Sequence, residues 1–204
     1  MAQAVSPSND KSLTKGQADK FADLFVDALV KSGLSSEPTQ LALEQQGAAL
    51  TAKFVQLVRE QVDALSKITR RTVMVDRSLS PEAAIAATGR RQYVTADVLA
   101  SMPKGTDETL IIEFIPLEKW MSDEAVDAKL AEYGLVTADP FALAAFNTVE
   151  PAFADDRPCF THWRDAEGKW CDAAFYDWSG GRCVDVSRHE GDWGDGWWVA
   201  GVRK

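Results

Sequence analysis

Six of the seven tryptophans in this 204-residue chain fall between Trp163 and Trp198, in a stretch that reads as short strands and turns. "CFTHWRD", "KWCDAAFYDW", "RCVDV" and "WWVAGVR" are separated by "AEG", "SGG" and the longer "SRHEGDWGDG", a pattern that predicts a four-stranded antiparallel meander from about residue 157. A tryptophan side chain presents about 150 to 250 Å², so six bring on the order of 1,000 Å², whereas the largest apolar patch of an ordinary monomer is about 300 to 600 Å². At least half of these rings must therefore be core. Alternation places Trp170, Asp172 and Ala174 on one strand face and Cys171, Ala173 and Phe175 on the other. It also sends Trp197 and Trp198 opposite ways, one into the core and the other toward solvent, a partner or the N-terminal helices.

Upstream the periodicity is helical. Residues 1–12 are polar and are expected to be a disordered tail. Residues 13–70 predict a helical hairpin. Thr14 and Gln17 stand in capping-box spacing ahead of Phe21, Leu24, Phe25, Ala28 and Leu29, and Gly33 is the stop. A second helix begins at Ser36, with Pro38 in its first turn, and runs through Leu50, Phe54, Leu57, Val58, Val62 and Leu65 to about Lys67. A lone hairpin buries little, so it should dock on the rest of the chain or on a second copy, giving a homo-oligomer. From Thr72 the pattern is β-α-α-β-α-α: a strand at "TVMV", a helix capped by Ser80, a short helix following Thr95, a strand at "TLIIEFIPL" apolar enough for burial on both faces, a helix capped by Ser122 and a shorter one introduced by Asp139 and Pro140. The fold class is α+β, with residues 71–204 forming the α+β domain and the meander sharing one core with the middle.

The net charge of −9 is concentrated in residues 71–150, which carry 7 basic against 13 acidic side chains. Such a balance lacks the basic footprint of nucleic-acid binding. A local exception is the run Arg70, Arg71, Arg77, Arg90 and Arg91. If the turn at Gly89 folds back on the strand around Val73, these could hold an anion; otherwise they are solvated and paired with nearby acids. No run of about 18 apolar residues or signal-peptide core is present, so the expectation is a soluble, cytoplasmic protein without a membrane partner. The odd count of three cysteines suits free thiols.

No nucleophile elbow, zinc-protease helix, P-loop or dinucleotide fingerprint occurs, so no catalytic residue and no cofactor is assigned, and the function leans away from catalysis. An enzyme would need a pocket where His162, His189, cysteines or carboxylates converge. Cys159 and His162 have metal-ligand spacing, but without a Cys-x-x-Cys knuckle strand cysteines are more commonly core residues, and no metal is assigned. The loop around Trp193 offers Arg188, His189, Glu190, Asp192 and Asp195, a mix of carboxylates, a guanidinium and an aromatic face suited to a sugar or small polar ligand. The same residues are also what a solvated hairpin loop contains. Trp193 is either an exposed ring or a lid folded over the sheet.

"VDRSLSPEAAIAATGRRQYV", "ADPFALAAFN", "PAFADDRP", "THWRDAEGKWCDAAFYDW" and "WWVAGVRK" together resemble a set of uncharacterised proteins of candidate-phyla bacteria, the Patescibacteria, over about residues 71–204. That resemblance implies boundaries and origin rather than chemistry. The ending "RHEGDWGDGWWVAGVR" also looks like the variable region of C-type-lectin-like targets of diversity-generating retroelements, which close on a glycine, an apolar residue and an arginine, as Gly201, Val202 and Arg203 do. It implies that His189, Gly191, Asp192, Gly194, Asp195 and Gly196 are residues adenine rewriting can produce, whereas Glu190 and the tryptophans are not. The expected function is a non-enzymatic ligand- or protein-binding module using the C-terminal loop. The alternatives are an assembly protein joined through its helices and an enzyme with an unrecognised site.

Overall fold

The computed structural model describes residues 13–203, with the side chains of residues 60 and 63–66 outside the description. The predicted tail of residues 1–12 also lies outside the described residues. The chain forms two units, residues 1–60 and residues 61–204.

In the first unit, helix α1 (Lys15–Lys31) opens with the capping box its sequence spells: Thr14 Oγ1 accepts from the Gln17 backbone N–H at 3.3 Å, and the Gln17 side chain accepts from the Thr14 N–H at 2.9 Å. Gly33, at φ 72°, turns the chain into α2 (Ser36–Ser66), and Phe54 of α2 packs on Phe21 and Phe25. This contact leaves α1 with no buried residue, and Leu24 remains 63% exposed.

The second unit runs β1 (Thr69–Met74), α3 (Pro81–Ala87), β2 (Arg91–Val94), α4 (Ala96–Ala100), β3 (Thr109–Pro116), α5 (Asp123–Glu132), β4 (Leu135–Thr137), α6 (Pro140–Val149), α7 (Phe153–Asp156), β5 (Cys159–Arg164), β6 (Trp170–Trp178), β7 (Gly181–Arg188) and β8 (Trp198–Arg203). Side-chain caps at Ser80, Ser122 and Asp139 start α3, α5 and α6 where the sequence places them. The two strong strands and four helices of the middle are present. Two short strands, β2 and β4, and the four-residue α7 are additional. Segments of three or four residues show too little alternation to be read locally, and their pairing comes from partners distant in sequence.

The strands of the described residues join one sheet in the order β1-β3-β8-β5-β6-β7-β2, with β4 also pairing with β8. The predicted four-stranded meander is therefore three strands long. After β7 the chain returns so that β8 inserts between β3, to which it is antiparallel, and β5, to which it is parallel. The consecutive buried residues Val199, Ala200 and Gly201 suit that position, since a strand enclosed by neighbours and covered on both faces needs no polar side.

One face of the sheet carries α3, α4, α6 and α7 over a core that includes Val73, Ile85, Phe114, Phe146, Phe153, Phe175 and Val184. The other carries α5 over Ile115, Leu117, Val126, Leu130, Phe160, Trp193 and Val199. Trp170 and Asp172 share the α5 face while Cys171 and Phe175 share the α6 face, as alternation requires. Trp197 and Trp198 do point opposite ways, but neither is the solvent-facing member expected. Trp198 rests on Phe153 in one core and Trp197 touches Phe160, Tyr176 and Trp193 in the other, both half-buried.

The predicted anion site is not assembled. Strand β1 lies at one edge of the sheet and β2 at the opposite edge, because the chain after Gly89 runs to β7 instead of folding back on Val73. Arg70 pairs with Glu113, Arg71 with Glu150, and Arg77 holds Asp139 with both arms at 2.7 and 3.1 Å. Arg91 is exposed, and Arg90 is buried among carbonyl groups. Among the described residues no helix is long and apolar enough to cross a membrane.

Candidate functional site

The α5 face gathers both histidines onto one carboxylate. Asp123, the first residue of α5, sits beside the Ser122 cap, where the helix N-terminus favours negative charge. Its side chain is 4% exposed and receives three hydrogen bonds: His162 Nδ1 at 2.5 Å, His189 Nδ1 at 2.9 Å and Trp193 Nε1 at 2.8 Å. Burial opposes ionisation here, but the donors His162, His189 and Trp193 outweigh it and hold the Asp123 carboxyl well below the usual carboxylate range. As an anion Asp123 can only accept, so both Nδ1 atoms carry hydrogen. The Nε2 atom of His162 faces Asp127 Oδ1 at 2.9 Å.

Aromatic stacking surrounds this hub. Trp193 lies between Phe160, with ring centroids 3.5 Å apart, and His189, at 4.2 Å. His162 stacks on Trp170, whose other partner is the Arg164 guanidinium, and Glu124 accepts from both Trp170 and Arg164. Trp193 is thus 5% exposed: of the two readings of its ring, the fold selects the lid over the sheet. Its backbone is bonded in both directions to Met121, at 3.0 and 2.8 Å, and Gly196 and Trp197 bond Leu117. The C-terminal loop is consequently fastened to the segment that leads into α5.

The remaining loop residues divide by environment. Arg188 is held by Asp97 and Asp165, which raise its affinity for its proton, and His189 is held by Asp123. Glu190, Asp192 and Asp195 are exposed. The exposed ring of this region is Trp120, the tryptophan outside the rich segment. It is 67% exposed, and a Cβ built on Gly194 would stand 3.6–3.7 Å from its ring atoms, so the Gly194 backbone lies against the indole. "KWMSD" did hold a signal for it, a large aromatic placed two residues before a helix cap in a polar loop.

Two further carboxyls belong to this face. Asp172 of β6 and Asp185 of β7 project on the same side as His162, since His162 pairs with Asp172 and Asp185 pairs with Ala174. Burial, reinforced by the charges of Asp185 and Asp123, pushes the Asp172 carboxyl well above the ordinary carboxylate value. A carboxylate in the middle of the apolar run "WCDAAF" was the available sequence signal.

Cys159 and His162, three residues apart on a strand, fall on opposite faces, so the candidate metal pair is separated. Cys159 approaches Asn147 instead, and burial pushes its thiol up to about 12. Among the described residues no group of three His, Cys, Asp or Glu side chains is placed to hold a metal ion, and all three cysteines are free and buried. The convergence of His162, His189 and two carboxylates meets one condition for an enzyme. A cleft of about 480 Å³ lined by His162, Asp127, Arg164, Trp170, Thr137 and Lys104 adjoins it. Neither imidazole, however, bonds a described serine, threonine or cysteine that could serve as a nucleophile. No family model, curated protein or solved structure matches the chain.

Proposed function

We propose that this protein is a binding module whose recognition surface is the C-terminal loop together with Trp120. The observation that carries the reading is the pairing of an exposed indole with a glycine backbone inside a loop fastened from beneath by Trp193. Such a platform costs little ordering entropy on binding, because its backbone is already fixed at Met121 and Leu117. Glu190, Asp192 and Asp195 fringe it with negative charge, which selects a partner presenting basic or hydroxyl groups beside an apolar face. The likeness to retroelement-diversified targets supports the same surface. Of the six positions that resemblance implies are rewritable, Gly191, Asp192, Asp195 and Gly196 are exposed and His189 and Gly194 are half-buried, while Trp193, which rewriting does not produce, is buried.

Selection of binders from a random peptide display library on the full chain tests this. Trp120→Ala is expected to weaken selected binders by about tenfold or more, the usual cost of losing an aromatic anchor, with an unchanged melting temperature. Unchanged binding in Trp120→Ala combined with Asp192→Asn and Asp195→Asn overturns the reading.

The exposed apolar residues of α1 favour a second role for the hairpin, pairing with a second copy of itself. Phe21, Leu24, Phe25 and Leu29 recur at helical spacing, each more than 40% exposed. In the full chain Leu24→Glu with Leu29→Glu is expected to reduce the mass seen by light scattering to that of one chain. A wild-type mass already equal to one chain removes this role.

A further inference from the structure

We infer that the Asp172–Asp185 pair is a binding site for a primary alkylammonium group, with Tyr176 and Trp197 beside it as aromatic walls. Asp172 is 4% exposed, and no described donor bonds its carboxyl. Asp185 Oδ1 is buried without a hydrogen-bond partner. Leaving a buried oxygen unmatched costs about 1–3 kcal/mol, and that oxygen beside a second unbonded carboxyl on the same sheet face marks a place that a donor from outside would complete.

The placement lets both carboxyls face one donor. Asp172 pairs with Ser187 and Asp185 with Ala174, so the two aspartates are diagonal neighbours across β6 and β7 on one sheet face. Diagonal neighbours are close enough for their side chains to act together, and an ammonium with three N–H donors can bond more than one carboxylate oxygen. The site is open on one side, because Asp185, Ser187, Tyr176 and Trp197 are half-buried and Tyr93, opposite Asp185 on β2, is exposed. Burial, with the charges of Asp185 and Asp172 adding to it, raises the hold of the Tyr176 hydroxyl on its proton, and its ring stands 6.0 Å from that of Trp197. Aromatic faces beside paired acids suit a cation on an alkyl stem.

The cations nearby do not fill the place. His162 and His189 donate to Asp123, Arg188 bonds Asp97 and Asp165, and Arg91, at the edge of this face, is exposed. Two carboxyls without a third ligand do not make a divalent-ion site. Burial raises the hold of the Asp172 carboxyl on its proton, and an ammonium that favours the carboxylate form opposes that shift, so binding is linked to proton release.

Titration of the full chain with n-butylammonium, followed by amide NMR shifts and by calorimetry in two buffers of different ionisation enthalpy, tests the site. The expected result is saturable shifts at Asp172, Asp185 and Ser187, with proton release on binding at the pH where free Asp172 is protonated. Asp172→Asn, whose neutral side chain copies the protonated acid and should keep the fold, is expected to weaken binding by about tenfold or more and to abolish the proton release. Asp185→Asn should weaken binding comparably, whereas the exposed Glu132→Gln controls for overall charge and should leave it unchanged. Nα-acetyl-lysine amide run beside n-butylammonium tells a lysine side chain from a free amine by which binds more tightly. Three outcomes overturn the inference: no saturable shift with either cation, equal binding of neutral n-butanol, or a magnesium ion that binds more tightly than either amine and is lost in Asp172→Asn.

Discussion

Replacing Asp123 by alanine is expected to destabilise the unit of residues 61–204 by about 3–5 kcal/mol, the range found when one partner of a buried charged network is removed. Three donors converge on this carboxylate, from His162, His189 and Trp193, and alanine removes the acceptor from all three, two of which are buried. A loss of that size lowers the melting temperature by about 10 °C or more in a unit of this length. Trp193 would lose its anchor, so its fluorescence should shift toward that of an exposed indole ahead of global unfolding. Asp123→Asn is the sharper variant, because its amide sets a donor against donors while keeping the shape. A melting temperature within a degree or two of wild type for both variants would show that stacking on Phe160 alone holds the loop.

The pH dependence follows from the same carboxyl. Its folded value is depressed, so the unfolded chain binds the extra proton between the depressed value and the ordinary value near about 3.9, and stability falls as pH is lowered through that window. Asp123→Asn should flatten that limb of the acid denaturation curve. Asp172 acts in the opposite sense. Its folded value is raised, the native state holds the proton longer, and its contribution is lost as pH rises above the ordinary carboxylate range. Asp172→Asn is therefore expected to match or exceed wild-type stability at neutral pH.

Arg90→Met is expected to cost about 2–4 kcal/mol, measured by chemical denaturation, although methionine retains much of the apolar stem. The guanidinium donates to Tyr176 O, Cys183 O, Pro151 O and Asn147 Oδ1, which ties the end of α6 and the turn after it to the far strands β6 and β7. Four unmatched acceptors would suggest a larger loss. Methionine also removes the desolvation that lowers the guanidinium's proton affinity, and an Nε that has no partner of its own, so the net effect is smaller. Arg90→Lys should recover little, because a single ammonium cannot reach acceptors on both sides as the planar fork does. Full stability in the lysine variant would mean that charge over the Phe175 ring, not the hydrogen bonds, is what the position contributes.

Local chemistry made most elements legible. The capping box at Thr14, the caps at Ser80, Ser122 and Asp139, and the alternation in "WCDAAF" are each decided within a few residues, by hydrogen-bond geometry at helix ends and by the two-residue period of a strand. The area limit on the tryptophans belongs to the same class, because it depends on side-chain size and not on neighbours. The candidate site was legible only in part. The loop from Arg188 to Asp195 drew notice for its composition, yet its exposed aromatic is Trp120, some seventy residues earlier in the chain, and the acid that organises it is Asp123.

What the sequence by itself determined is thus where helices and strands begin, which side chains share a face, and that several indoles must be buried. Tertiary structure alone decided that β8 inserts between β3 and β5, that β1 and β2 lie at opposite edges with their arginines apart, and that both histidines meet on one carboxylate. The physical reason is range. Caps and alternation act within one turn or one pleat, whereas strand order and the partners of a buried charge are set by which distant surfaces can cover one another while leaving the fewest polar atoms unmatched.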